Sequence, residues 1–369
     1  MVTVVVTDCK YRSSVAVVRS LGRAGYNVVA AATERDVKGE PPAFFSKYVN
    51  EKIMLEGSVN DAEYKWRLEA LLSKYENPVL FPVGAKTFET VSKNIEEFSA
   101  CCRFNISRDD VLERANDKIF VTRLAHEIGI PTPCEYSVDS PSFPCIIKPR
   151  CGEKAGLKAA NRYIKCYNKE QFDRALEKIT QYDKTPIVEE LVEGDGEGVS
   201  VVMDKNKKPA SIICHRRIRE YPISGGPSAC LESIYDDKLV DYAVKLLSAL
   251  DFHGIAMVEF KGGRLLEINP RVWGSFPMTE YADSNFSENY VRTSLGESFD
   301  EADISYKRGV KMHFAVNDAA CVLSLIRHGK IKKAMSGIAD FIRPGVRDGL
   351  RDKEDKKPFR VYIRQVFGR

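Results

Sequence analysis

The sequence predicts an α/β protein in two main parts: an open domain built on a parallel sheet, then a mixed domain of strands, glycine turns and two helices. Three observations predict it. The chain opens on an apolar run, "VTVVVTD", followed by a helical pattern and a second apolar run. Its composition changes after Gly129 and two prolines. A hairpin pattern of alternating polar and apolar residues, "MVEFKGGRLLEINPRVWGS", then ends the middle region.

The bulk numbers set the bounds. With 369 residues, 44% hydrophobic and 29% charged, the chain can bury a sizeable core in two or three domains. No run approaches the roughly 20 apolar residues of a membrane span, and the start lacks the basic region and cleavage site of a signal peptide, so a cytoplasmic protein is expected. The ten cysteines include no CxxC pair and no His at zinc spacing. They read as reduced thiols, with Cys145 and Cys151 as small buried hydrophobes rather than nucleophiles. A net charge of +4 is too small to call for a nucleic-acid partner. The charge is uneven, because Lys330 to Arg369 carries twelve Lys/Arg against five Asp/Glu and the rest of the chain sums to −3.

In chain order, "VTVVVTD", "SSVAVVRSLGRAGY" and "NVVAAAT" read as strand, helix and strand, the start of a parallel sheet. The first turn, "TDCKYRSS", has no GxGxxG, and Ser13 and Ser14 suit an anion or plain N-capping equally. "NPVLFPVG" is a later strand and "AKTFETVSKNIEEF" a helix, so an α/β domain spans 1–111. "SRDDVLERANDKIFVTRLAHEIGIPTP" reads as one helical run with Ser107 as its cap. The second domain, 112–300, runs from there to the hairpin, with helices in "KEQFDRALEKITQ" and "DDKLVDYAVKLLSALDF". The last part, 301–369, has one amphipathic helix in "VNDAACVLSLIRHGKIKKAMSG" and a basic tail too poor in apolar residues for its own core. That tail reads as a solvated end, or as a dock for a membrane surface or an acidic partner.

The hairpin carries the chemistry. Strand alternation puts Glu267, Asn269 and Arg271 on one face, and a reversal at Lys261-Gly262-Gly263-Arg264, with pairing symmetric about Gly263, sets Glu259 opposite Glu267. Opposed like charges in a sheet are unfavourable, so a neutralising group is expected between them. A hard cation such as Mg2+ suits two carboxylates and an amide oxygen; a charged face meeting water is the bland alternative. Lys148 ends the apolar strand "PCIIKPR", where burial without an anionic partner would cost several kcal/mol.

Taken as an ordered set, Lys118 in "ANDKIF", Lys148 in "CIIKP", "VEELVEG" and the acidic hairpin resemble the ATP-grasp superfamily. "GEGVSVVMD", "HRRIREYPISGGPS", "GIAMVEF" and "LLEINPRVWGS" look like its carboxylate-amine ligases related to carbamoyl-phosphate synthase subunits. The resemblance covers about residues 1 to 300. It implies an ATP-grasp fold with a Rossmann-like pre-ATP-grasp domain and a mixed α+β ATP-binding region, in two subdomains joined near 186–193. It also implies that Lys118 and Lys148 reach nucleotide phosphates. Glu189, Glu190, Leu191 and Val192 would line the adenine site, the last three through main-chain groups. Glu197 matches the ribose-binding glutamate, one residue later than the commoner spacing. Glu259, Glu267 and Asn269 match the ligands of two Mg2+ ions, with Mn2+ as a substitute, and Arg271 the residue that steadies the transferred phosphate.

The glycine-rich phosphate loop is the poorest match, since "KPRCGEKAGLKAANRYIK" offers only Gly152 and Gly156, with Arg150 and Lys154 as compensating cations. Arg217 and Arg219, two apart, would form a positive row for a substrate acid if their segment is a strand. His215 beside them reads as a surface residue rather than a base. The implied reaction moves ATP's γ-phosphate to a small-molecule carboxylate and lets an amine displace it. Bicarbonate or carbamate phosphorylation is the enzymatic rival, and a nucleotide-binding regulatory module without turnover the non-enzymatic one. A homodimer is expected only because symmetric dimers are common.

Overall fold

The structure, a computed structural model, describes residues 1–150, 163–223 and 225–368. The opening apolar runs become strands because they are buried on both faces, as parallel strands require. The first part comprises β1 (Thr3–Val6), α1 (Arg12–Arg23), β2 (Asn27–Thr33), β3 (Glu51–Leu55), α2 (Tyr64–Leu72), β4 (Val79–Phe81), α3 (Ala85–Ser92) and α4 (Ile95–Cys101). Its sheet is all parallel, in the order β3-β2-β1-β4. The two serines do not cap the helix. Tyr11 is the N-cap position of α1, without a side-chain bond, and Ser14 donates back to the Tyr11 carbonyl at 2.6 Å.

The single helical run expected after residue 107 is two helices, α5 (Asp109–Asn116) and α6 (Lys118–Glu127). Asp117 separates them: its backbone is extended, and its carboxylate accepts from the Ile119 and Phe120 N–H groups, so α6 starts afresh with its own cap. Ser107 caps nothing. Its hydroxyl donates to the His253 carbonyl and accepts from the His253 N–H, which ties the first part to the second.

A three-stranded antiparallel sheet follows, formed by β5 (Cys145–Lys148), β6 (Ile164–Cys166) and β7 (Ile187–Glu190), with α7 (Lys169–Thr180) on one side. Cys145, Ile147, Cys166 and Val188 pack with Phe172, Ala175 and Ile179 of α7 into a small core. Alternation sends Ile146, Lys148, Lys165 and Glu189 to the other face.

The remaining elements are β8 (Gly196–Met203), β9 (Pro209–Glu220), β10 (Ser228–Ile234), α8 (Asp237–Ala249), β11 (Gly254–Lys261), β12 (Arg264–Asn269), α9 (Pro277–Tyr281) and α10 (Phe286–Ser294). After them come β13 (Lys311–His313), α11 (Ala315–Arg327), α12 (Ile331–Ile342), β14 (Arg347–Asp348) and α13 (Lys357–Phe367). A seven-stranded sheet runs β12-β11-β8-β9-β10-β13-β14, so it continues past residue 300, where the second domain was expected to end. The one amphipathic helix expected beyond that point is a pair, α11 and α12, split at Gly329, whose φ of +69° takes the left-handed region open to glycine.

The basic tail is also not a free end. Asp355, buried, accepts from Arg19 Nε at 2.9 Å, from Ser46 Oγ at 2.7 Å and from the Lys47 N–H at 3.0 Å, and Asp352 pairs with Arg23. Charge pairing with the first part, together with Leu350, Phe359 and Tyr362 packed into or against the main core, does what a hydrophobic core of its own could not. Among the described residues, no helix is long and apolar enough to cross a membrane.

Candidate active site

Gly262 and Gly263, with φ of +53° and +75°, make the two-residue turn that closes the β11–β12 hairpin on the Lys261–Arg264 pair. Phe260 then faces Leu265, but Glu259 faces Glu267. Leu266 is the extra residue of a β-bulge, and the slip it introduces is what brings the two acids opposite one another. Two residues on, Met257 faces Asn269, which puts the amide on the same face. Asn269 Nδ2 lies 3.1 Å from Glu259 Oε1 and 3.4 Å from Glu267 Oε1, and Arg271 Nη2 donates to Asn269 Oδ1 at 3.4 Å.

Cations from two other elements meet these acids. Lys118, the first residue of α6, is 2.8 Å from Glu267 Oε2. Arg217 on β9 is 3.5 Å from Glu259 Oε2, and it also donates to Ser228 Oγ and Glu220. The two carboxyls consequently part in acidity. Burial works against ionisation of Glu267, but the Lys118 charge and hydrogen bond, with Lys148 and Arg271 beyond, hold it down to about 2. Burial pushes Glu259 up, and Glu267 adds to this, against the pull of Arg217.

The other wall of the cleft is the polar face of the three-stranded sheet. Lys148 is ion-paired with Glu189 on the adjacent strand, both nearly buried, so the protein supplies the counter-ion that the buried lysine requires. Arg150 is anchored on Asp117, the residue before Lys118. Asp117 was missed, although an Asp directly before a helical pattern is a recognisable cap signal. Lys165, also missed, shares the Lys148 face by the same alternation; its pKa is lowered by burial, with Lys261 and Lys330 near, against Glu220. In the linker, the Glu190 and Leu191 N–H groups already donate to the Cys134 and Pro144 carbonyls. This narrows the expected main-chain contacts with an adenine edge to the linker carbonyls and Val192. Glu190 itself is paired with Arg264. Gly152, Lys154 and Gly156 lie outside the described residues.

Between the two walls is a cavity of about 1250 Å3 that takes in Lys118, Lys148, Glu189, Arg217, Glu259, Glu267, Asn269 and Arg271. Among the described residues, no three His, Cys, Asp or Glu side chains come together as a metal set. The available donors are two carboxylates and, with its amide turned, the Asn269 oxygen. Such hard oxygens fit a magnesium ion that completes its shell with phosphate oxygens and water.

Three expectations fail here. Glu197 does not face this cavity: it pairs with Phe260 and Arg216, whereas its neighbour Gly198 pairs with Glu259 and His215. One residue of offset turns a strand side chain to the other face, and Glu197 sits instead near Asp236 and Asp195, where burial first and those acids second raise its pKa. Arg219 touches the cavity's edge, but its guanidinium does not join that of Arg217 in a row. Cys230 faces Arg219 while Leu231 faces Arg217, so a bulge breaks the alternation. The Arg219 guanidinium is buried among carboxylates, donating to both oxygens of Asp318 at 2.7 Å and to Asp340 at 2.8 Å. His215, expected on the surface, is buried in the lining of the cavity, its Nε2 3.5 Å from Ser275 Oγ. Burial, with Arg217 beside it, lowers its pKa to about 3, so the ring stays neutral. Gly198 leaves room for it: a Cβ there would come within 2.3 Å of the ring.

Comparison with known proteins matches residues 115–275 to the model of the ATP-grasp domain family. D-alanine–D-alanine ligase of Thermoanaerobacter sp. (strain X514) is 25% identical over a match covering 39% of this chain and 46% of the relative. That of Carboxydothermus hydrogenoformans is 28% identical, with 40% and 54% covered. The chain thus spans about half the length of the curated relatives it matches. Among solved structures, the biotin carboxylase domain of Hydrogenobacter thermophilus 2-oxoglutarate carboxylase, in complex with MgADP, ADP and bicarbonate, superposes with a TM-score of 0.65 at 15% identity, covering 84% of this chain and 73% of that one. N5-carboxyaminoimidazole synthetase from Staphylococcus aureus gives 0.59 at 14% identity, with 82% and 79% covered. Residues 115–275 thus match the ATP-grasp domain family, and over most of its length the chain has the fold of these solved structures.

Proposed function

We propose that the protein is an ADP-forming ligase that joins a small-molecule carboxylate to an amine. The observation that carries this reading is the Glu259–Glu267 pair, bridged by Asn269 and flanked by Lys118 and Arg217, across one cavity from Lys148. Glu259, Glu267 and Asn269 would hold magnesium, which when bound neutralises the charge of the nucleotide's β and γ phosphates. Lys118 and Lys148 add fixed positive charge on the two walls, and Arg271 offers a planar fork of donors to the transferred phosphoryl group.

In the first step a substrate carboxylate oxygen attacks the γ phosphorus, the bond to the β-phosphate oxygen breaks, and ADP leaves. In the second the amine nitrogen attacks the acyl carbon, the carbon–oxygen bond to phosphate breaks, and phosphate departs with the amine's proton. Positioning and charge neutralisation account for the catalysis, and no covalent nucleophile on the protein is used. The matched ligases and the cleft's donor set support this reaction class; the acid and the amine are left to experiment.

The test is ADP and phosphate release from MgATP with pools of small acids and amines. Release that requires one acid and one amine together is the expected result. Release driven by bicarbonate alone would replace the reading by a carboxyl-phosphate activity, and equal release by wild type and a Glu267→Gln variant would remove it.

A further inference from the structure

The helix pair α11–α12 presents an apolar surface that is left exposed among the described residues. On α12, Ile331, Met335, Ile338 and Ile342 recur at i, i+4, i+7 and i+11, one narrow stripe of a helix, and are 52%, 59%, 42% and 82% exposed. Phe341 beside them is 42% exposed, and on α11 Leu323 and Ile326 are 57% and 44% exposed. The opposite side of α12 is the packed one: Ala334, Gly337 and Asp340 are buried. A soluble helix ordinarily turns its apolar stripe inward. Here the inward contact is made by small residues and an ion pair, which leaves the larger apolar side chains outside.

The charge around this surface is of one sign. Between Ala315 and Arg347 the sequence contains Arg327, Lys330, Lys332, Lys333, Arg343 and Arg347 and only two acids, Asp318 and Asp340. Both acids are buried and bound to Arg219, with His313 also on Asp318, and Lys311 and, at 3.8 Å, Arg343 also on Asp340. No carboxylate of this segment therefore reaches solvent beside the stripe. Lys332 and Arg343 each lie one position from an end of it, where long cationic side chains reach past an apolar face.

We propose that the α12 stripe, extended by Leu323 and Ile326 of α11, docks on an anionic membrane surface, its apolar side chains entering the headgroup boundary while Lys332, Arg343 and their neighbours meet lipid phosphates. An amphipathic helix with an exposed apolar face and cations around it has the chemistry of an interfacial segment. A second copy of the chain fits less well, since a two-fold contact would set the cations flanking the stripe against their own copies. This surface is separate from the tail at α13, which packs against the turn at Pro42–Phe45.

Flotation of the full chain with phosphatidylglycerol-containing vesicles and with neutral phosphatidylcholine vesicles tests the assignment, at low salt and at about 0.5 M, where screening shortens the reach of charge. Binding to the anionic vesicles, little to the neutral ones, and weakening with salt is expected. Ile338→Ser with Ile342→Ser should lower the bound fraction about ten-fold, and Lys332→Glu with Arg343→Glu should abolish the anionic preference. Ile338 and Ile342 are exposed, so thermal melting of the Ser variant should match wild type. Arg343 lies 3.8 Å from buried Asp340, so the Glu variant is expected to melt lower, and its flotation is read at a temperature where it stays folded. The proposal is overturned if wild type floats with neither vesicle. It is equally overturned if the Ser variant binds as wild type does, or if the stripe instead holds a dimer that the Ser variant dissolves while vesicle binding is absent. Vesicle binding that survives the four substitutions but is lost on removing residues 357–369 would assign the contact to α13 and reject α12.

Discussion

Lys118 Nζ stands 2.8 Å from Glu267 Oε2, joining the start of α6 to β12 across 149 positions of sequence. The lysine sits on a helix restarted by Asp117, and the acid sits on a face selected by the bulge at Leu266. Removing either should cost the same function. Lys118→Met and Glu267→Gln are each expected to lower MgATP-dependent ADP release about 100-fold, the scale of losing one preorganised charge in an active site. The double variant should be little worse than Glu267→Gln alone, because the two act as one unit. Additive losses in steady-state assays would show that they act separately.

Arg217 and Arg219 should separate cleanly. Arg219→Ala leaves Asp318 and Asp340 buried beside Lys311 and His313 without their main partner, and is expected to destabilise the fold by about 3–5 kcal/mol in denaturant titration. Arg217→Ala should leave the denaturation midpoint close to wild type and instead raise the KM for the acid substrate or lower kcat. The reverse pattern would return Arg219 to the substrate site.

His215 gives a pH signature. Its pKa falls from 6.5 to about 3 on folding, so between those values the unfolded chain binds the proton that the native ring refuses. Stability therefore falls as pH drops through this window, by about 1.4 kcal/mol per pH unit for one such group. From pH 7 to pH 5, wild type should lose about 2 kcal/mol more than a His215→Gln variant. Parallel pH profiles for the two proteins would show that the ring is protonated in the native state.

Much of the chemistry was legible because it is local. Period-two alternation placed Glu267 and Asn269 on one face, paired glycines marked the turn, and the match of Lys118, Lys148 and the hairpin to one family followed from residue order alone. The pairing of Glu259 with Glu267 came out as expected, but by a route invisible in the pattern, a two-residue turn plus a bulge at Leu266 rather than symmetry about Gly263. The same kind of slip defeated the reading of Arg217 and Arg219, because a bulge is a choice made between strands and not within one.

The sequence by itself determined which donors the cleft has to work with: acids, an amide and lysines on elements whose type and order could be read directly. Tertiary structure decided which of them share a space and which are already engaged. Glu197 turned away, Arg219 was taken by Asp318 and Asp340, and Asp355 drew the basic tail onto Arg19. The physical reason is range: propensity and alternation act over a few residues, whereas a buried charge is satisfied by whichever partner folding brings to it, here about 100 to 340 positions away.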